Sequence, residues 1–135
     1  MIEWFADTYF FLALRNPKDT GHQLAASVLP SLKQVRLVTT SWVLTEIADA
    51  LASPRNREGF GHLRKMLEQH RAIIVPPTVE LFETGIDLYL NRPDKEWSLT
   101  DCISFVVMKD RGITESLTAD HHFEQAGFVA LLASS

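Results

Sequence analysis

Four carboxylates, Asp7, Glu46, Asp101 and Asp120, sit where a chain of this kind builds chemistry. Asp7 follows the apolar run Ile2-Glu3-Trp4-Phe5-Ala6, and Asp120 follows Ser116-Leu117-Thr118-Ala119. Asp101 opens the helix-like run Cys102–Lys109, and Glu46 lies inside a helix-like segment that is otherwise nearly all apolar. In an open α/β sheet the carboxyl ends of the strands share one edge, and sites are built there. Four acids gathered at that edge would repel one another unless a cation neutralised them. The pattern reads as a divalent-metal site of hard oxygen ligands, and such sites suit phosphate chemistry.

Each acid also has a structural reading. Asp7 and Asp120 could cap the helices that follow them, accepting backbone N–H bonds. Ser98-Leu99-Thr100-Asp101 matches a capping box, with Ser98 at the cap and Asp101 reaching back. Glu46 resists such a reading. Its helix carries Trp42, Val43, Leu44, Ile47, Ala48, Ala50 and Leu51, so it is expected to be largely buried. Thr45, Glu46 and Asp49 form its only polar stripe, and like charges three residues apart disfavour the helix. A buried acidic stripe needs a cation, a basic partner or a shifted pKa. The nearest basic residues in sequence, Arg55 and Arg57, lie beyond a proline break, so a metal is the simpler account.

The elements that must position these acids alternate along the chain. Apolar runs predict strands at Ile2–Ala6, Val35–Thr39, Ala72–Val75, Thr114–Thr118 and Phe128–Leu132. Helices are expected at Thr8–Arg15, Gly21–Lys33, Trp42–Ala52, Arg57–His70, Val79–Leu90, Leu99–Lys109 and His121–Gln125. Asn16-Pro17, Ser53-Pro54 and Asn91-Arg92-Pro93 punctuate them. In Gly21–Lys33, Leu24, Val28, Leu29 and Leu32 recur at helical spacing. Strand–helix alternation implies right-handed crossovers and an α/β fold, with a parallel sheet covered by helices on both faces. No repeat, low-complexity tract or linker interrupts it, so residues 1–135 are expected to form a single domain.

Composition narrows the function classes. The 135 residues are 46% hydrophobic and 22% charged, in the range of soluble globular domains. The net charge of −4 disfavours a protein that merely coats nucleic acid, but not one that gathers its acids in a site. Arg55, Arg57, Arg64, Lys65 and Arg71 make one segment net basic against Glu58 and Glu68. That segment could contact a phosphate backbone or simply form a solvated helix face. No run is long and apolar enough for a membrane helix, and Glu3 and Asp7 interrupt any signal-like core, so a cytoplasmic location is expected.

Other chemistries find little support. Cys102 is the only cysteine, lies in an apolar helical run and reads as a buried inert thiol. His121 and His122 adjoin Asp120, but successive helix residues point about 100° apart, so joint ligation of one ion is not expected. His22, His62 and His70 read as surface residues, and Phe10, Phe11, Phe60, Phe105 and Phe123 as core. Gly59-Phe60-Gly61 follows no strand and precedes no phosphate-loop lysine, and no Gly-x-Ser-x-Gly elbow occurs.

Taken in order, the motifs resemble those of PIN-domain nucleases, specifically the toxin half of VapBC toxin–antitoxin pairs. The likeness spans nearly the whole chain. Its motifs are Phe5-Ala6-Asp7-Thr8, then Thr39-Thr40-Ser41-Trp42-Val43-Leu44-Thr45-Glu46, then Trp97-Ser98-Leu99-Thr100-Asp101-Cys102-Ile103-Ser104-Phe105, and Leu117-Thr118-Ala119-Asp120-His121-His122-Phe123 followed by Gly127-Phe128. The resemblance implies a PIN fold and an endoribonuclease that uses Mg²⁺ or Mn²⁺. Asp7, Glu46, Asp101 and Asp120 match the family's acidic quartet, and Thr8, Ser98 and Thr118 its supporting hydroxyls. Asp49 and Asp94 stand where some relatives carry further acids. The family often forms homodimers and is silenced by a cognate antitoxin.

A metal-assisted route would use one or two ions, attack the phosphate in line and leave a 5′-phosphate and a 3′-hydroxyl. Single-stranded or looped RNA is the expected substrate, because a narrow acidic site reaches a duplex phosphate poorly. Three rivals stand beside this reading. A haloacid-dehalogenase-type phosphatase would need a second acid at position 9, where Tyr9 stands. A receiver domain would need a late lysine, and none follows Lys109. A catalytically weak PIN module that only binds RNA or protein would not need an intact quartet.

Overall fold

The computed structural model describes residues 1–133. Five parallel strands form one sheet: β1 (Ile2–Ala6), β2 (Val35–Thr40), β3 (Ile73–Val75), β4 (Glu115–Leu117) and β5 (Val129–Ala130). Seven α-helices connect them among the described residues: α1 (Thr8–Arg15), α2 (His22–Ser27), α3 (Ser41–Ala50), α4 (Arg57–Gln69), α5 (Val79–Asn91), α6 (Leu99–Arg111) and α7 (His121–Gln125). The architecture is the expected α/β arrangement, with helices on both faces of the sheet.

The strand order is β3-β2-β1-β4-β5. β1 is central: it pairs with β2 in the register Phe5↔Val38 and with β4 through Phe5↔Ser116 and Ala6↔Leu117. The chain first winds outward through β2 and β3, then crosses β1 to lay down β4 and β5. β1 and β4 therefore flank the switch point of the sheet, where a crevice opens beyond the strands' carboxyl ends. Two buried hydroxyls tie the backbone there. Thr39 Oγ1 donates to Ala6 O at 2.8 Å, and Ser116 Oγ donates to Phe5 O at 3.3 Å.

The core gathers the inward faces of strand and helix. Phe5, Leu37, Val38 and Leu117 from the strands meet Phe10, Val43, Ile47, Ile103, Met108 and Phe123 from the helices, all at most 1% exposed. Phe10, Phe11, Phe105 and Phe123 are buried and Phe60 half-buried, as core residues should be. On one side α1 packs on α3, and α3 on α4; on the other α5 lies along α6, and α6 against α7.

Two expectations need correction. The single helix at Gly21–Lys33 is split into α2 and a 3-10 turn, Leu29–Lys33. Pro30 has no N–H to donate and restricts Leu29, so the α-helical ladder stops before it. Leu24 and Leu29 then sit 45% and 37% exposed instead of in the core. The α3 helix is also not largely buried: Val43 and Ile47 face the core, whereas Thr45, Glu46, Asp49 and Ala50 are exposed. Its apolar excess comes from small or half-covered residues such as Ala48 and Leu44. Burial alone therefore does not demand a cation beside Glu46.

Candidate active site

All four acids of the quartet line one open cleft of about 400 Å³, together with Thr8, Tyr9, Leu12 and Ala119. Asp7 comes straight off the end of β1 and sits at the base, 6% exposed. It makes no side-chain cap to α1. Its Oδ2 instead accepts the Thr118 hydroxyl at 2.9 Å. No side-chain cap bond supports the capping alternative for Asp7, and its buried carboxylate has only neutral donors, the Thr8 backbone N–H and, more strongly, the Thr118 hydroxyl. Burial pushes its pKa up to about 7 against that hydrogen bond, and the nearby Asp101 and Glu46 carboxylates raise it further.

The other three acids come from different elements. Thr40 caps α3 by accepting the Val43 N–H, which starts the helix at the end of β2 and sets Glu46 over the cleft. Glu46 Oε1 accepts the Thr8 hydroxyl at 2.5 Å, joining α3 to α1 across the cleft. Asp101 forms the complete capping box with Ser98: Asp101 N donates to Ser98 Oγ at 3.0 Å, and Ser98 N to Asp101 Oδ2 at 3.2 Å. Burial raises the Asp101 pKa, and the Asp120 carboxylate adds to the shift. Asp120 accepts the His122 N–H at 2.9 Å and caps the short α7. Asp101 and Asp120 therefore hold helix ends and face the cleft at once; the two readings are not exclusive.

The structure places the remaining candidates elsewhere. Ser98 is exposed, engaged with Asp101 and absent from the cleft wall. Asp49 is exposed outside the cleft, and Asp94 is exposed in a paired contact with Arg92 at 3.0 Å. Arg55 lies in the 3-10 turn before α4, and Arg57, Arg64 and Lys65 lie on α4; all are exposed and none lines the cleft. Arg57 is held by Ala52 O, which accepts from its Nε at 2.9 Å. Cys102 is buried, and burial pushes its thiol up to about 11, which keeps it inert.

The histidines depart from expectation. His22 is half-buried, with Nδ1 2.9 Å from Ala13 O. His121 and His122 do not diverge, for their rings lie 4.4 Å apart. Ligand atoms of Asp120, His121 and His122 all fall within 4.8 Å of one another. Both are residues of the first turn of α7, and their long side chains bring the rings together although successive helix positions diverge. Adjacency to Asp120 was the one sequence signal that could have marked His122 for this cluster.

No Lys or Arg lines the cleft to balance its acids. A carboxylate pushed toward neutrality by burial, and further by its acidic neighbours, in a set of hard oxygen donors, fits a divalent cation.

The sheet order, the switch-point crevice and its ring of acids define a PIN-type α/β protein. The chain is 30% identical over 130 residues to the 23S rRNA-specific endonuclease VapC20 of Mycobacterium tuberculosis, in two strains, covering 93% of this chain and 95% of the relative. It belongs to the VapC-like toxins of the PIN-domain family. The crystal structure of M. tuberculosis VapC20, a sarcin–ricin loop cleaving toxin, matches with a TM-score of 0.82 and 27% identity over 93% of this chain and 95% of that one. VapBC2 from Rickettsia felis, bound to a DNA fragment from its promoter, shares the fold at a TM-score of 0.68 and 13% identity, over 96% of both chains. FitAcB from Neisseria gonorrhoeae shares it at 0.60 and 22%, over 96% of this chain and 95% of that one. No family model matches the chain.

Proposed function

We propose that this chain is a Mg²⁺- or Mn²⁺-dependent endoribonuclease, the toxin of a VapBC-type pair, acting on looped RNA. The observation that carries the reading is the set of four carboxylates, from the end of β1, from α3, from the first turn of α6 and from the cap of α7, around one cleft that no Lys or Arg lines. A divalent cation bound there would offset charge on the scissile phosphate and lower the pKa of an attacking water.

The chain's own residues supply the frame. Asp7 and Asp101 hold the deep wall, positioned by Thr118 and Ser98 respectively. Thr8 orients Glu46 at the mouth and leaves its second oxygen open to accept a proton or a water hydrogen bond. Asp120, fixed by its cap to α7, closes the fourth side. In-line attack on the phosphate then leaves a 5′-phosphate and a 3′-hydroxyl. A loop presents a single strand to the cleft more readily than a duplex does. Exposed Arg55, Arg64 and Lys65 offer phosphate contacts outside it.

The relative VapC20 cleaves the sarcin–ricin loop of 23S rRNA, which makes that loop the first substrate to test. A cognate antitoxin is the proposed protein partner and a homodimer the proposed assembly, in the cytoplasm. No helix among the described residues is long and apolar enough to cross a membrane.

The test is incubation of wild type and Asp7→Asn with 23S rRNA, an isolated sarcin–ricin stem-loop and a scrambled loop, in Mg²⁺, Mn²⁺ or EDTA. Metal-dependent cutting that leaves 5′-phosphate ends and is lost in the variant is expected. Equal cutting in EDTA, or a 2′,3′-cyclic phosphate product, would overturn the metal route. No cutting of any RNA by folded, partner-free protein would overturn the nuclease reading.

A further inference from the structure

His122 is the nitrogen donor set between two of the cleft's acids. Its Nδ1 lies 3.3 Å from Asp101 Oδ2 and 3.3 Å from Asp120 Oδ1, and its side chain is 19% exposed. The Nδ1 atom is buried, yet neither contact has the alignment of a hydrogen bond. A buried polar atom in that position costs free energy unless something else meets it. An octahedral ion with bonds of about 2.1 Å separates neighbouring ligands by about 3 Å, which matches both spacings. His121 does not share this position: its side chain is 70% exposed, and its Nδ1 stands 3.6 Å from Asp120 Oδ1.

We propose that His122 Nδ1 is a direct ligand of the divalent cation between Asp101 and Asp120, making the site a mixed nitrogen–oxygen one that prefers Mn²⁺ over Mg²⁺. The inference rests on the cation-site reading above and goes beyond it in ligand and in metal. Mn²⁺, a first-row transition ion although it shares Mg²⁺'s taste for oxygen, accepts an imidazole nitrogen more readily than Mg²⁺, which gives up its waters reluctantly. An all-carboxylate site would show no such preference beyond the general order of affinities. The neutral ring adds a donor without adding to the negative charge already crowded there.

The test uses the full chain and the metals alone, without RNA. Pulsed EPR of the Mn²⁺-loaded wild type is expected to show ¹⁴N coupling from a bound imidazole. The coupling should vanish in His122→Ala and persist in His121→Ala. Calorimetric titration with Mn²⁺ and with Mg²⁺ should show Mn²⁺ affinity falling more than Mg²⁺ affinity in His122→Ala, so that the preference for Mn²⁺ narrows. Mn²⁺ bound by wild type without nitrogen coupling would overturn the assignment of His122 and leave the carboxylate site standing. Coupling lost in His121→Ala instead would move the ligand to its neighbour. Failure of wild type to bind Mn²⁺ at all would overturn the cation site itself. The wild-type spectrum answers the question even if a variant does not fold.

Discussion

Thr118 Oγ1 donates to Asp7 Oδ2 at 2.9 Å while accepting the Asp120 backbone N–H at 3.0 Å. One buried hydroxyl thereby sets two acids of the cleft relative to each other. Valine fills nearly the same space without the hydroxyl. Thr118→Val should leave a buried carboxylate without its donor and an N–H without its acceptor, costing about 1–3 kcal/mol. Urea unfolding in EDTA reads this loss. RNA cleavage should fall roughly tenfold or more, as when a ligand's supporting hydrogen bond is removed. A variant as stable and as active as wild type would show that Asp7 needs no such support.

The buried Asp7 makes metal-free stability fall as pH rises. Its folded pKa of about 7 lies above the ordinary 3.8, so between those values the folded state holds a proton that the unfolded state has released. Stability is therefore fully present below the unfolded value and is lost as pH climbs through the folded one. Each unit of separation corresponds to about 1.4 kcal/mol, and Asp101, also raised, acts in the same direction. Melting temperatures in EDTA from pH 4.5 to 8 should decline for wild type and decline less for Asp7→Asn. At pH 8 the variant should match or exceed wild type. Parallel curves would mean that Asp7 is ionised and at ease in the fold.

A cation should reverse that penalty. At a free concentration one hundred times its dissociation constant, Mg²⁺ or Mn²⁺ would stabilise the folded state by about 2.7 kcal/mol. The gain should shrink toward pH 5.5, because a proton on Asp7 competes with the ion. Thermal melts with and without millimolar metal at both pH values check this. A gain that is absent at pH 8, or unchanged on acidification, would count against Asp7 as a ligand.

Strands β1 and β2 and the helix that carries Asp101 were legible because each has a strong local signal. β1 ends just before Asp7, and Ser98 and Gly112 bracket α6, with Gly112 adopting φ 69° beyond its last turn. Asp7, Asp101 and Asp120 were legible for the same reason, since each sits at such an end, and Glu46 because it interrupts an otherwise apolar helix. The exposure of Glu46 was not, because which face of α3 is covered depends on α1 and α4, distant in sequence. Nor was the convergence of His122 on Asp101, which requires β4 to return beside β1 and bring α7 against the start of α6. The break at Pro30 was readable and is a lesson in ranking signals: hydrophobic spacing suggested one helix where proline chemistry forbade it.

Ser98 separates helix capping from catalysis. It is exposed, it caps α6, and it stands outside the cleft wall. Ser98→Ala removes the bond to Asp101 N but leaves the Ser98 backbone N–H to hold Asp101 Oδ2. Stability should drop by about 0.5–2 kcal/mol. Cleavage at saturating metal should stay within severalfold of wild type. Lost cleavage with unchanged unfolding would place the hydroxyl in the chemistry instead.

Gly85 tests how tightly the helix pair behind the site is packed. An exposed helical glycine replaced by alanine usually gains up to about 1 kcal/mol. Gly85, however, is buried in α5, and a Cβ there would overlap Ile103 Cγ1 of α6. Ile103 is itself 0% exposed, so it cannot relieve the overlap by turning out to solvent. Overpacking of this kind costs about 1–3 kcal/mol and should outweigh the propensity gain. Gly85→Ala is expected to melt below wild type. Because α6 carries Asp101 at its first turn, a shift of that helix should also weaken Mn²⁺ binding in calorimetry. A variant that melts higher, with Mn²⁺ affinity intact, would show that α5 and α6 can part without disturbing the cleft.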